Sequence, residues 1–199
     1  MSRVEEPKEQ EGPPELPELE TLRLKLRELS MDDLKGFYEL LKDPEIVDYS
    51  GQPPRETIEE ARARIEERLE KRLGYGPTRY SWAVEEKETG RYLGEVTLHS
   101  VDSKHKRGEL AFGLIDEARG KGYGTESGRG VIDFAFDTLG LIRVQAATRT
   151  TNERAQRTLE SLGFSREGTL RDYWVIDGKP GTVHMYSLLR GEYQKEKTA

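Results

Sequence analysis

Arg119-Gly120-Lys121-Gly122-Tyr123-Gly124-Thr125-Glu126 lies between a strand-like run, Glu109-Leu110-Ala111-Phe112-Gly113-Leu114-Ile115, and a helix-like run from Gly130 to Leu139. Glycine lets a backbone come close to a ligand and adopt positive φ. The first N–H groups of a helix have no internal partner and point outward from the positive end of the dipole. A Gly-rich turn from strand to helix is therefore a place to hold phosphate or pyrophosphate. A P-loop needs G-x-x-x-x-G-K-[ST], and no such string occurs. A dinucleotide fingerprint needs G-x-G-x-x-G near the first strand, whereas Gly120, Gly122 and Gly124 space as G-x-G-x-G after three strand-like runs. The spacing that fits is [Arg/Gln]-x-x-Gly-x-[Gly/Ala], met by Arg119, Gly122 and Gly124.

Working outward, Leu22 to Arg27 alternates apolar and basic residues, the period of a half-buried strand. Ser30 precedes an amphipathic helix over Met31–Leu41, with Leu34, Phe37, Leu40 and Leu41 on one face. Pro53-Pro54 break the chain, and Thr57 opens a second helix to about Leu73. Strands are expected over 80–85, 92–101 and 108–115, then the turn and its helix. A strand over 142–148 leads to a helix at 153–161 with Gly163 as its cap. The chain closes on a hairpin, 168–176 and 182–189, around Asp177-Gly178. The order βααβββαβαββ implies a mixed α+β fold, one mixed sheet with helices on both faces.

The chain has 199 residues, enough for one domain with its own core. It has no cysteine, which removes disulfides, Cys-ligated zinc, iron–sulfur clusters and thiol nucleophiles together. Its three histidines, His99, His105 and His184, show no paired spacing, so no metal site is expected. No apolar run approaches the roughly 20 residues that span a bilayer. A soluble, cytoplasmic protein is expected, with no membrane partner. The net charge of −6 argues against a nucleic-acid partner and suits solubility or a cationic substrate such as an amine. Residues 1–20, rich in Glu and carrying Pro7, Pro13, Pro14 and Pro17, read as a disordered tail. That leaves a domain at 21–191 and a short C-terminal tail at 192–199.

The segment Glu109–Phe164 resembles the GNAT N-acetyltransferase superfamily, and 22–190 resembles its RimJ/RimL-like branch. The resemblance rests on motifs in register: Gly108 to Leu114, Arg119 to Glu126, Asn152-Glu153-Arg154-Ala155, Leu159 to Phe164, Glu167 to Arg171, and Tyr186-Ser187-Leu188-Leu189. It implies a mostly antiparallel seven-stranded sheet with splayed central parallel strands and about four helices. It implies acetyl-CoA as cosubstrate and an amine as acceptor, attacked directly in a ternary complex, with no metal and a monomer or homodimer. The acceptor is expected to be a protein N-terminal amine, with a polyamine, amino-acid or antibiotic amine as alternative. A non-catalytic acyl-CoA-binding module is the rival.

Carried onto this chain, the pyrophosphate would rest on backbone N–H groups of Arg119, Gly120, Lys121, Gly122, Tyr123, Gly124 and Thr125, with a further contact from the Arg119 side chain. The pantetheine arm would pair with backbone of Phe112, Gly113 and Leu114, and the Leu114 N–H would face the developing oxyanion. Asn152, Ala155 and Arg157 would flank the cofactor. Glu109 is placed as the base. Many relatives carry a tyrosine as general acid where this chain has Leu159, so Tyr173, Tyr186 and His184 on the last hairpin become the candidates for that role. The acceptor pocket is assigned to the helices within 31–73 and to the hairpin at 170–187.

Overall fold

The computed structural model describes residues 16–50, 57–71, 75–176 and 178–198. Its sheet has nine strands. Seven are long: β2 (Leu24–Arg27), β4 (Arg79–Glu86), β5 (Tyr92–Asp102), β6 (Arg107–Leu114), β7 (Arg143–Arg149), β8 (Ser165–Ile176) and β9 (Lys179–Leu189). Two are two-residue pieces, β1 (Leu19–Glu20) beside β2 and β3 (Tyr75–Gly76) beside β4. The order is β1-β2-β4-β5-β6-β7-β9-β8. Every pairing is antiparallel except β6 with β7.

Six α-helices accompany the sheet: α1 (Leu34–Lys42), α2 (Pro44–Ser50), α3 (Ile58–Glu70), α4 (Tyr123–Asp133), α5 (Glu153–Ser161) and α6 (Arg190–Thr198). Four match the sequence reading. The Thr57 capping box closes reciprocally with Glu60, which fixes the start of α3. Leu24, Leu26, Trp82, Val84, Val96 and Leu98 are fully buried in the sheet, and Phe37 of α1 and Ile65 of α3 are buried with them.

Three readings need correction. First, α4 starts at Tyr123, not at Gly130. The glycines inside it suggested a turn but serve close packing: a Cβ on Gly128 would sit 2.9 Å from Leu162 Cδ1. Second, α2 was missed, although its start is signalled by Asp43-Pro44. Asp43 Oδ1 accepts from the N–H groups of Glu45 at 2.8 Å and Ile46 at 3.4 Å, and proline suits the first helical position. Third, α6 covers the stretch taken as a tail from 192. Tyr193 is buried, its ring tilted at 48° against that of Phe136, and donates to Asp133 at 2.9 Å. At the other end, residues 1–15 of the expected N-terminal tail lie outside the described residues. Residues 17–20 do not behave as a tail: Trp82 Nε1 donates to the Pro17 carbonyl at 2.7 Å, and Leu19 pairs with Leu26.

Candidate active site

The site begins where the sheet comes apart. Pairing of β6 with β7 covers Arg107↔Arg143, Gly108↔Val144 and Glu109↔Gln145, and then stops. Both strands run on, β6 to Leu114 and β7 to Arg149, so a wedge opens between them. Ile115 N–H donates to Leu93 O at 2.9 Å, on the β5 side. Along a strand, successive N–H groups alternate in direction. The amides of Phe112 and Leu114 therefore face the wedge. Behind them the backbone is rigidly backed: Gly94 of β5 has φ 148°, and a Cβ there would lie 2.1 Å from Gly113 O.

The wedge continues as a cleft of about 280 Å³ that reaches the Gly-rich turn. It is lined by Phe112, Gly113 and Leu114, by Arg119, Gly120, Gly122, Tyr123, Gly124 and Thr125, and by Asn152, Ala155 and Arg157. Glu45, Ile46, Ala118, Arg154, Thr158 and Ser161 complete it. Gly122 is the N-cap of α4 with φ 82°, and no side chain caps the helix. The leading N–H groups of α4 are thus left for an anion, and the left-handed backbone is the conformation that glycine adopts without strain. Arg23 braces the turn from outside. Its Nη1 donates to Lys121 O at 3.1 Å, its guanidinium lies 4.4 Å from the centre of the Tyr123 ring, and its Nε holds Glu126 at 2.7 Å. The Tyr123 hydroxyl donates to Glu86.

Most of the predicted cofactor set converges on one cleft, with two qualifications. Lys121 is exposed and does not line it. The Arg119 side chain turns from the expected phosphate toward α2: it pairs with Asp43 at 2.7 Å and Glu45 at 2.8 Å and donates from Nε to Leu114 O at 3.0 Å. Arg154 of α5 also reaches Glu45, at 2.9 Å, across the cleft. Asn152 caps α5, its Oδ1 accepting from Ala155 N–H at 3.0 Å.

Strand parity separates the predicted catalytic residues. Tyr186 pairs with Ala146 and so projects with the even-numbered residues toward α5. It is 1% exposed, its hydroxyl lies 3.4 Å from Glu160, and burial raises its pKa above the ordinary phenol value. Glu109 pairs with Gln145 and faces the opposite side of the sheet. Tyr173 is on the outer part of β8, half exposed beside Trp174. Neither tyrosine lines the cleft, nor does Glu109, and Leu159 is buried in the core. Glu109 sits at the closed end of the wedge, where Gln145 Nε2 donates to it at 3.4 Å and His99 Nε2 lies 4.0 Å away. His99, Gln145, Glu45 and Arg154 were missed. A turn centred near 103–106 places 99 opposite 109, so His99 was within reach of a register argument. Glu45 and Arg154 are far apart in sequence and carried no such signal.

The acetyltransferase (GNAT) domain model matches residues 23–165. The chain belongs to the GNAT acetyltransferase family. It is 32% identical over 87% of its length, and 97% of the relative's, to the uncharacterized N-acetyltransferase YoaA of Bacillus subtilis (strain 168). A GNAT-family acetyltransferase from Bacillus anthracis superposes with a TM-score of 0.77 at 19% identity, over 88% of this chain and all of that one. Spermidine N-acetyltransferase from Vibrio cholerae, solved with CoA and spermine, superposes with a TM-score of 0.72 at 23% identity, over 86% of this chain and 98% of that one. The mixed, mostly antiparallel sheet opened at β6 and β7 is the GNAT fold, and the chain is an N-acetyltransferase.

Proposed function

We propose that this GNAT enzyme transfers the acetyl group of acetyl-CoA to a single amine, a peptide N-terminal α-amine first among them. The uncapped start of α4 at Gly122 carries the pyrophosphate; the Phe112 and Leu114 amides carry the pantetheine arm along β6 as an added strand would be carried. A backbone N–H of β6 at the thioester stabilises the oxyanion. Glu109 takes the proton that a protonated amine must lose before it attacks, and the CoA thiol leaves without an aligned tyrosine.

The observation that supports this acceptor is the charge pairing on Glu109's face of the sheet. Glu95 is held by Arg68 at 2.6 Å and Glu167 by Arg143 at 2.5 Å. Glu109, set between Gln145 and His99, is the carboxylate of this strip that no arginine neutralises among the described contacts. One such carboxylate suits one ammonium. An α-amine titrates near pH 7.7–8, about two units and more below a Lys-type amine, and is the easier one to deprotonate at neutral pH. A polyamine acceptor is the second reading, favoured by the spermine in the Vibrio cholerae neighbour. The test is CoA thiol release from acetyl-CoA with peptides, spermidine and aminoglycosides as acceptors. The proposal expects turnover with free N-terminal peptides and none once the N-terminus is blocked. Preference for spermidine would move the acceptor to the second reading, and tight acetyl-CoA binding without turnover on any amine would make the chain a binding module.

A further inference from the structure

The strand opposite Glu109 breaks its own register. The β5–β6 ladder runs without interruption from Gly94↔Leu114 to His99↔Glu109, then shifts before Asp102↔Arg107. Within that irregularity Ser100 has φ 50°, a left-handed backbone at a non-glycine residue. Such conformations are strained and cluster at working sites, as bulges do. Here the bulge turns Ser100 outward into solvent while His99 stays partly buried, facing the sheet side that carries Glu109. His99 Nδ1 lies 3.0 Å from Ser100 Oγ, and His99 Nε2 lies 4.0 Å from Glu109 Oε1. The side chains of Glu109 and His99 are 19% and 27% exposed, and Ser100 is exposed, so exposure rises from Glu109 through His99 to Ser100.

We infer that His99 and Ser100 form an outward proton relay from Glu109, carrying the acceptor's proton to solvent. This rests on Glu109 being the base. The ammonium N–H bond breaks and Glu109 takes the proton. The freed nitrogen lone pair forms the N–C bond as the thioester C–S bond breaks, the acylated nitrogen's second proton goes to the departing thiolate, which leaves as CoA thiol, and the proton on Glu109 passes to Nε2 of neutral His99 across a gap that one water spans. His99 then gives up its Nδ1 proton through Ser100 Oγ to bulk water. The neutral tautomer with Nδ1–H on Ser100 is the one that leaves Nε2 free to accept. Burial holds the His99 imidazole below its ordinary pKa, with Glu109 acting to raise it and Arg79 to lower it, which keeps His99 neutral and ready to accept at neutral pH. His99 is thereby a positioning and relay residue acting through Glu109.

Two measurements on the full chain test this. In the first, the ring protons of His99, assigned by their loss in H99Q, are titrated by NMR in the wild type and in Glu109→Gln. Removing the carboxylate should move the His99 midpoint to lower pH; an unmoved midpoint means the two groups do not communicate and overturns the relay. In the second, thiol release is followed with the best acceptor of the panel. H99A should lose roughly tenfold or more in kcat, with KM for acetyl-CoA unchanged, and imidazole in the buffer should restore rate. If H99A does not fold, H99Q should show the same kcat loss with an altered acid limb of the pH–rate profile. Full activity in the His99 variant with a large loss in Glu109→Gln removes the relay alone. An unchanged pH–rate profile in Glu109→Gln removes the base itself, and the relay with it.

Discussion

The two halves of the wedge are built from different materials. The donor half is backbone: strand amides of β6 that lost their partner when β7 diverged, and the leading N–H groups of α4 behind a left-handed Gly122. The half proposed for the acceptor is side chain: Glu109, His99 and Gln145 on one sheet face, with Arg68–Glu95 and Arg143–Glu167 beside them. Backbone donors tolerate exchange of most side chains but not of the glycines that let a ligand approach. Side-chain sites are the reverse. The donor half therefore fixes the cosubstrate, while the acceptor half is free to change its amine by substitution.

That contrast ranks the expected effects of mutation. Glu109→Gln should cost the most, about 10²- to 10⁴-fold in kcat/KM, the ordinary contribution of a positioned base. Stopped acetyl transfer with unchanged acetyl-CoA binding would confirm that the acceptor half alone was hit. Gly122→Val comes next. A side chain at φ 82° costs roughly 1–2 kcal/mol, so the free turn should leave its binding-competent conformation by about that margin and acetyl-CoA affinity should fall about tenfold by calorimetry. Unaltered affinity would place the pyrophosphate elsewhere. Asn152→Ala should remove the α5 cap and cost about 1 kcal/mol of stability, read as a fall in Tm. A larger effect on acetyl-CoA KM than on Tm would show that the amide also touches the cofactor.

The smallest effect is a pH dependence. Arg143, first, and Ser187 hold the Glu167 carboxyl at about 2, against an ordinary 4.5. A depressed carboxylate pKa contributes stability that is present above the unfolded value near 4.5 and is lost as pH falls toward 2. Because the Glu167 side chain is 44% exposed, solvent screening keeps this contribution small. Glu167→Gln should flatten the acid side of the stability curve slightly, measured by denaturant unfolding from pH 6 downward.

The same contrast explains what the chain's sequence disclosed. The long strands and the helices α1, α3 and α5 follow from period and caps, and the donor half from glycine spacing, because backbone chemistry leaves marks at fixed offsets. The long glycine run also misled, since Gly124 of the expected turn and Gly128 already lie inside α4, ahead of the helix start expected at Gly130. Tyr186 looked like an acid, but it is buried with its hydroxyl against Glu160 and does not line the cleft, which only the register with Ala146 and the packing on α5 reveal. The Arg119 side chain looked like a phosphate ligand and instead ties α2 to the end of β6, because Asp43 and Glu45 of a helix the pattern did not show are nearer. Side-chain sites assembled from distant segments leave no such spacing to read.

On the proposed reading, acetyl-CoA is held by backbone along β6 and at the start of α4. Amide hydrogen exchange with and without acetyl-CoA tests it directly, because exchange reports those N–H groups themselves. Protection should appear at Phe112 and Leu114 and over 120–125, with little change on β2 and α1. Protection that spares Phe112, Leu114 and the Gly-rich turn while acetyl-CoA is bound would contradict it.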